Sequence, residues 1–296
     1  MIEISSIVAF IKPLAVFGGA ASYVSNPIQL TALNTDKTVL MWVSKKNIAQ
    51  LASVKAGVII CPEINKENCR PNCTYIICSN PRLAFQQVLS EFFLPQRDTG
   101  IASTAYIAPT AKLGQNLYIG HHVVIEADCV IGDGTSIGHN TVLKPRTHIG
   151  SHVIIGSNNT IGGVGFGYEK NEDGLYVSLP HLGNAVIEDY VEIGNNTCID
   201  RAVLGSTFIR KNAKIDNLVH IAHGVEVGEN SLVIGTAQVA GSVKIGKNCW
   251  IAPSSTIINK VTIGDNAVIG IGSVVLKDVE ARHTVMGNPA RVISKD

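Results

Sequence analysis

Charge is scarce in this sequence and leans to neither sign. Only 16% of the 296 residues are Asp, Glu, Lys or Arg, and the formal net charge is +1. A chain so balanced lacks the basic footprint of a nucleic-acid binder. Aromatic residues are also few, at 5%, against 28 glycines. That composition argues against a helical bundle and for a β-rich chain with many tight turns. No apolar run is long enough to span a bilayer: the stretch from Ile7 to Phe17 is broken by Lys12 and Pro13 and has no small-residue cleavage site. Neither a transmembrane segment nor an export signal is expected, and the location is read as cytoplasmic. The seven cysteines contain no C-x-x-C pair, and the close pair Cys69 and Cys73 has no second pair or His tandem to complete a zinc site. We therefore expect no metal, and cysteines that serve as reduced, small apolar residues.

What the sequence has instead is a period of six. Ile101, Ile107, Leu113, Ile119, Ile125, Ile131, Ile137, Leu143, Ile149, Ile155 and Ile161 follow one another without a missed step. A second run extends from Ile209 through Ile215, Ile221, Val227 and Val233 to Val275. Four residues after the hydrophobe stands a mostly small or β-branched residue, such as Ala105, Cys129, Thr135 and Thr141. Six matches neither the 3.6 of a helix nor the 2 of an ordinary strand; a fixed repeat of this kind builds a solenoid. Each hexad gives a short flat strand and a turn, three hexads give one triangular coil, and coils stack at about 4.8 Å. The expected fold is mainly β, a parallel β-helix with a small N-terminal α/β domain. Known hexapeptide-repeat proteins, which this pattern resembles, imply that the coil is left-handed.

The repeat breaks twice, once over "GGVGFGYEKNEDGLYVSLPHLGNAV", a loop insertion at 162–186, and once as a four-residue slip around "LGST". Insertions in solenoids become loops on one face, often the binding face; a drifted loop is the plain alternative. The region 1–98 has no hexads. "TVLMWV", "GVIIC" and "TYIIC" read as buried strands. "NPRLAFQQVLSEFF" reads as an amphipathic helix with Leu83, Val88, Leu89, Phe92 and Phe93 on its apolar side. The β-helix is assigned to 99–280, and residues 281–296 form a tail too short to fold alone.

His223 stands two residues after Ile221, at a turn where side chains leave the prism. His121 and His139 share that register and, 18 apart, should stack on adjacent coils. Register alone does not choose among them.

The long non-hexad blocks carry more. The G-F-G-Y loop, the P-x-L-G stretch, "CIDRA", "KIDNLVHIAHG" and, in the first domain, "SNPRLAFQQVLSEFF" resemble the UDP-3-O-acylglucosamine N-acyltransferase family of lipid A biosynthesis, over nearly the whole chain to about residue 280. The resemblance implies transfer of an acyl group from an acyl-carrier-protein thioester to the 2-amine of a nucleotide sugar. It implies His223 as general base and a homotrimer with active sites at subunit junctions. No tightly bound cofactor is implied; the donor itself carries phosphopantetheine. An imidazole with a pKa near 6.5 suits a base that must remove a proton from an attacking amine around neutral pH. Asp216 and Asn217, one hexad upstream, become candidates for binding sugar hydroxyls or orienting the base. His220 is a weaker substrate-side candidate, and Phe166 and Tyr168 of the loop are further ones.

Three positions depart from the family. Its second histidine is replaced by Lys260, which suits a donor phosphate. Its uracil-reading set is replaced by Trp42, Lys45 and Ile48. Trp42 is a candidate for stacking on the base, or else a core aromatic, and Lys45 is a candidate for the phosphates or ribose. "GNPARVI" stands where the family has a helical extension for carrier docking, and resembles the ending of acetyltransferases that use acyl-CoA. A short-chain acyl-CoA-dependent sugar acyltransferase for surface polysaccharide is therefore the second reading, and a non-catalytic scaffold the third. Lys244, Lys247 and Lys260 are expected to mark successive turns of a donor path beyond His223.

Overall fold

A computed structural model describes the chain apart from residues 20, 28–37, 53–56, 66–68, 71, 96–98 and 296. Two compact units emerge, Met1–Gln96 and Arg97–Asp296; the boundary expected at residue 98 lies outside the described residues.

The first unit is a five-stranded sheet. Asn26–Pro27, Val39–Trp42, Val58–Cys61 and Thr74–Ile77 run parallel, and Ala15–Phe17 closes one edge antiparallel to Thr74–Ile77. Val58–Cys61 and Thr74–Ile77 are buried at every position, because both faces of this parallel sheet are covered. Leu40, Ile60 and Ile76 pack with helices Ile4–Ile11 and Pro81–Val88, whereas Met41, Ile59 and Tyr75 pack on the other side with Leu51. The first helix stops where Lys12 turns to a φ of 45° and donates its N–H to Val8, just before Pro13. Asn80 caps the second helix by accepting the Leu83 N–H at 3.2 Å. Its buried side differs from the expected one: Leu83 is exposed, and Ala84 and Val88 face the core with Phe85. A π-helical turn over Leu89–Phe93 then brings Phe92 and Phe93 back onto that core.

The second unit is a parallel β-helix with three faces of eleven, nine and eight strands. Face A runs from Gly100–Ile101 to Val268–Ile269, face B from Tyr106–Ile107 to Val274–Val275, and face C from Lys112–Leu113 to Thr262–Ile263. Strands one coil apart pair in register, Ile119 with Ile137 and Ile215 with Val233. From Ile119 onward the hexad hydrophobes form one continuous buried column, each fully buried Ile, Leu or Val stabilising by about 1.5–3 kcal/mol. From Asn116 onward most corners turn on a left-handed residue, and asparagine supplies many, including Asn140, Asn158, Asn212, Asn230 and Asn248. The small residue that follows is sealed in: Thr135 and Thr141 are buried, and their hydroxyls donate to Gly150 and Gly156 of the next coil at 2.8 and 2.9 Å. The tail does not stand apart. His283–Met286 adds to face A beside Val268–Ile269 and pairs antiparallel with Arg291–Lys295, covering a strand edge that would otherwise be free.

Candidate active site

The two breaks in the repeat fall at one place. The insertion leaves face B at the end of Thr160–Gly163, on the corner between faces B and C. It forms a hairpin, Tyr168–Lys170 against Tyr176–Ser178, and rejoins face C through Asn184–Ile187. On the next coil the four-residue slip meets it: Leu182 donates its N–H to Val203 at 2.8 Å, and Asn184 donates to Gly205 at 3.0 Å. Gly183 is required there, since a Cβ would stand 2.4 Å from the Gly205 carbonyl. Arg201, buried, staples the loop's entry by donating its Nε–H to the Gly162 carbonyl at 2.7 Å.

His223 occupies this same corner one coil further on. Its half-buried ring lies over Gly241, where a Cβ would come within 2.6 Å of Cε1 and Nε2. A Cβ on Gly165 of the insertion would come within 3.0 Å of the His223 Cβ. Against the ring stands His181, with centroids 5.4 Å apart and planes at 77°. Among the described residues neither ring nitrogen of His223 has a hydrogen-bond partner, so packing rather than a carboxylate holds it. Burial, and after it the nearby imidazole of His181, lower its pKa below the usual histidine value, with the charge of Asp200 opposing. Both effects favour the neutral imidazole, whose lone pair no partner among the described residues takes up.

Its neighbour His220 is pushed the other way. On face B, His220 hydrogen-bonds through Nε2 to the Asp200 carboxylate at 3.1 Å, and its Nδ1 lies 2.8 Å from the side-chain amide of Gln238. The hydrogen bond to Asp200 raises its pKa, against burial. His220 lines a cleft of about 600 Å³ with Phe166, Tyr168, Cys198, Asp200 and Leu218. The rings of Phe166 and Tyr168 lie 4.9 Å apart along it.

The structure thus brings Phe166, Tyr168 and His220 together, with His223 at the edge of the same face. It places Asp216 and Asn217 elsewhere, on the corner between faces A and B. There Asp216 accepts N–H groups from Asn217 and Gly235, at 2.7 and 3.0 Å. Asn217 accepts the backbone N–H of Asn195 at 2.6 Å. One hexad of sequence is one prism corner, so the pair and His223 flank opposite edges of face B. Lys260 does follow His223 along the B–C corner: Ser242 N–H bonds to His223 and Lys260 N–H to Gly241, at 2.9 and 3.0 Å. Lys244 and Lys247 do not line that path. Lys244 points out from face C, and Lys247 stands at the next corner, paired with Glu229 at 3.0 Å. A second depression, of about 470 Å³ on face C, contains Arg210, whose guanidinium is already paired with Glu188 and Glu226. In the first unit Trp42 ends its strand half-buried against the Leu40 and Ile60 cluster, and Lys45 is exposed at the start of the 3₁₀ helix Lys45–Ala52.

Sequence reasoning missed Asp200, His181 and Gly241. Asp200 and His181 lay inside the quoted non-hexad blocks, which was signal enough to mark them. Gly241 is legible only as the residue 18 after His223, the one directly over the ring.

Residues 40–90 match the family described as UDP-3-O-(3-hydroxymyristoyl) glucosamine N-acyltransferase, LpxD. Residues 128–163 and 242–277 match bacterial transferase hexapeptide repeats. A UDP-3-O-acylglucosamine N-acyltransferase of Campylobacter lari is 40% identical over 240 residues, 76% of this chain and 75% of that protein. UDP-3-O-acylglucosamine N-acyltransferase 1 of Francisella tularensis is 37% identical over 228 residues; the match takes in 70% of this chain and spans 64% of the relative's length. Among solved structures, the UDP-N-acetylglucosamine acyltransferase of Bacteroides fragilis superposes with a TM-score of 0.59 at 25% identity, over 65% of this chain and 73% of that one. The fold, the break at the B–C corner and these relatives agree: the chain belongs to the UDP-3-O-acylglucosamine N-acyltransferase family.

Proposed function

We propose that this chain transfers an acyl group from a phosphopantetheine thioester to the amine of a nucleotide-linked amino sugar, as in lipid A biosynthesis. The observation that carries the reading is His223: an imidazole packed against Gly165, which also lines a cleft with aromatic and polar walls, its ring nitrogens without hydrogen-bond partners among the described residues. The amine attacks the thioester carbonyl and forms the N–C bond while His223 takes the proton released from nitrogen. The tetrahedral intermediate collapses, the C–S bond breaks, and the imidazolium returns its proton to the leaving thiolate. Phe166, Tyr168 and His220 contact the acceptor in the cleft. Trp42 stacks on the base and Lys45 meets the phosphates or ribose. Asp216 and Asn217 hold the opposite corner rather than the base. Lys260, on the corner beyond His223, pairs with a phosphate of the phosphopantetheine arm.

The working unit is a homotrimer in the cytoplasm. The insertion exposes Val164, Phe166, Leu179 and Leu182, and the slip exposes Leu204, an apolar group of the kind that marks an interface. Among the described residues no helix is long and apolar enough to cross a membrane.

The test is direct transfer to UDP-3-O-acylglucosamine, with acyl carrier protein and acyl-CoA donors of varied chain length, on material sized by light scattering. Turnover with carrier-protein donors by a species of three times the chain mass is the expected result. Turnover only with short acyl-CoA would establish the polysaccharide reading instead. No transfer from any donor, or a stable active monomer, would overturn the corresponding part.

A further inference from the structure

Within that reading, one buried group remains without a task. His181 is 6% exposed, and its Nε2 is sealed from solvent with no partner among the described residues. Leaving a buried polar atom unpaired forfeits its hydration with nothing in return, so native structures seldom tolerate one without a reason. Its Nδ1 lies 2.8 Å from the Leu179 carbonyl, which can only accept. Nδ1 therefore carries the hydrogen, and in the neutral ring Nε2 is a bare acceptor. The same contact prevents the ring from turning, because Leu179 is itself tied back by its N–H to the Gly167 carbonyl at 2.9 Å. Gly165 admits the ring: a Cβ there would lie 2.9 Å from Nε2. The insertion thus delivers a rigid imidazole against His223, at 5.4 Å and 77°.

We propose that His181 is a positioning residue for His223: it walls one side of the base and fixes the ring's orientation where no carboxylate does. The geometry explains each part. Glycine at 241 leaves the ring no side-chain support from the following coil, so the support comes from the insertion. Two groups that can bear charge face His223: His181 from the insertion and Asp200 from the preceding coil. From the coil above, Gly241 lies against the ring. A positive charge on His223 is favoured by Asp200 and opposed by His181, and Asp200 is already engaged with His220. Removing His181 admits water and leaves Asp200 unopposed, and both changes favour the imidazolium.

The proposal rests on His223 being the base, and the experiment separates the two. Protein labelled at histidine Cε1 is titrated by NMR, with the His223 resonance assigned by its loss in His223→Ala. His181→Ala should raise the His223 midpoint by at least about half a pH unit. His181→Gln, which keeps volume and a donor for Leu179, should raise it less. In turnover, His181→Ala should lower kcat roughly 10- to 100-fold with acceptor KM within about twofold. The acid limb of its pH profile should move to higher pH, and His181→Gln should recover part of kcat. An unmoved His223 midpoint in both variants would overturn the proposal, as would a rise in KM with kcat intact. If His181→Ala melts early, the Gln variant decides by the same midpoint. A moved midpoint with no transfer activity in the parent would sustain the positioning role and sink the assigned reaction.

Discussion

His139 and His223 stand at the same hexad register on the same prism, and only His139 has its ring engaged in a hydrogen bond among the described residues. His139 serves the repeat. Its Nδ1 accepts the backbone N–H of His121 at 2.8 Å, and its ring stacks on that of His121 at 5.6 Å. Farther along the same A–B corner Asn195 and Asn217 do the equivalent work, each accepting the backbone N–H of the coil before. His223 sits on the B–C corner, and among the described residues its ring accepts no hydrogen bond. The insertion closes over it with Gly165 and His181, and Gly241 clears space above it. The repeat decides where a corner side chain stands; the break in the repeat decides whether it is free to react.

The sharpest way to test that contrast is to remove each histidine. His223→Ala should lower kcat by roughly 10²- to 10⁴-fold, the scale of general-base loss, with its melting temperature nearly unchanged. His139→Ala should leave turnover alone and cost about 0.5–1.5 kcal/mol of stability, the net value of one hydrogen bond. Steady-state kinetics beside thermal melting distinguish the two. Equal losses of turnover would erase the difference between the corners.

A smaller effect is expected from the glycines around the rings. An added Cβ at Gly241 meets only the His223 ring, at 2.6 Å. At Gly120 it meets the His139 ring at 2.7 Å and also the His139 backbone nitrogen at 2.9 Å. A ring can swing and a backbone cannot. Gly241→Ala should therefore displace the base and reduce kcat roughly 10- to 100-fold, with little loss of stability. Gly120→Ala should reduce stability and leave kcat intact. If Gly241→Ala proves silent, the ring of His223 is not held where the reaction needs it.

These contrasts also mark what the sequence disclosed. The prism was legible because every Ile, Leu or Val of the column must point inward, so six-residue spacing maps directly onto three faces. The strands of the first unit were legible for a similar reason, being apolar throughout. The site was legible only in part. Phe166 and Tyr168 could be named because they lie in a block that breaks the period, and His220 and His223 because they lie in "KIDNLVHIAHG", which carries the family resemblance. Their convergence could not be read, since the contacts that close the corner join distant residues: Gly163 accepts the N–H of Arg201, and Gly205 accepts that of Asn184. Asp216 shows how sequence and space part: seven residues before His223 in sequence, it stands one corner away on the prism. The side chains that shape the base, His181 and Gly241, reach it from other coils and loops, and a linear reading has no measure of that approach.

The smallest expected effect separates His220 from His223 by pH. Asp200 raises the pKa of His220, so its protonated form is favoured in the folded state. Its stabilisation is fully present below the unfolded value near 6.5 and is lost as pH rises through the higher folded value. His223 is depressed by burial and by His181. Its contribution is present above 6.5 and is lost as pH falls through the lower folded value. The His220 side chain is 34% exposed, so solvent screening limits the contribution to below about 1 kcal/mol. Melting temperatures of the parent, His220→Gln and His223→Ala, taken between pH 5 and 8, should diverge in opposite senses. His220→Gln should fall furthest behind the parent at the acid end, whereas His223→Ala should gain on the parent there. Parallel curves for the two variants would mean that Asp200 does not discriminate between the imidazoles, and the split between a charged His220 and a neutral His223 would have to be abandoned.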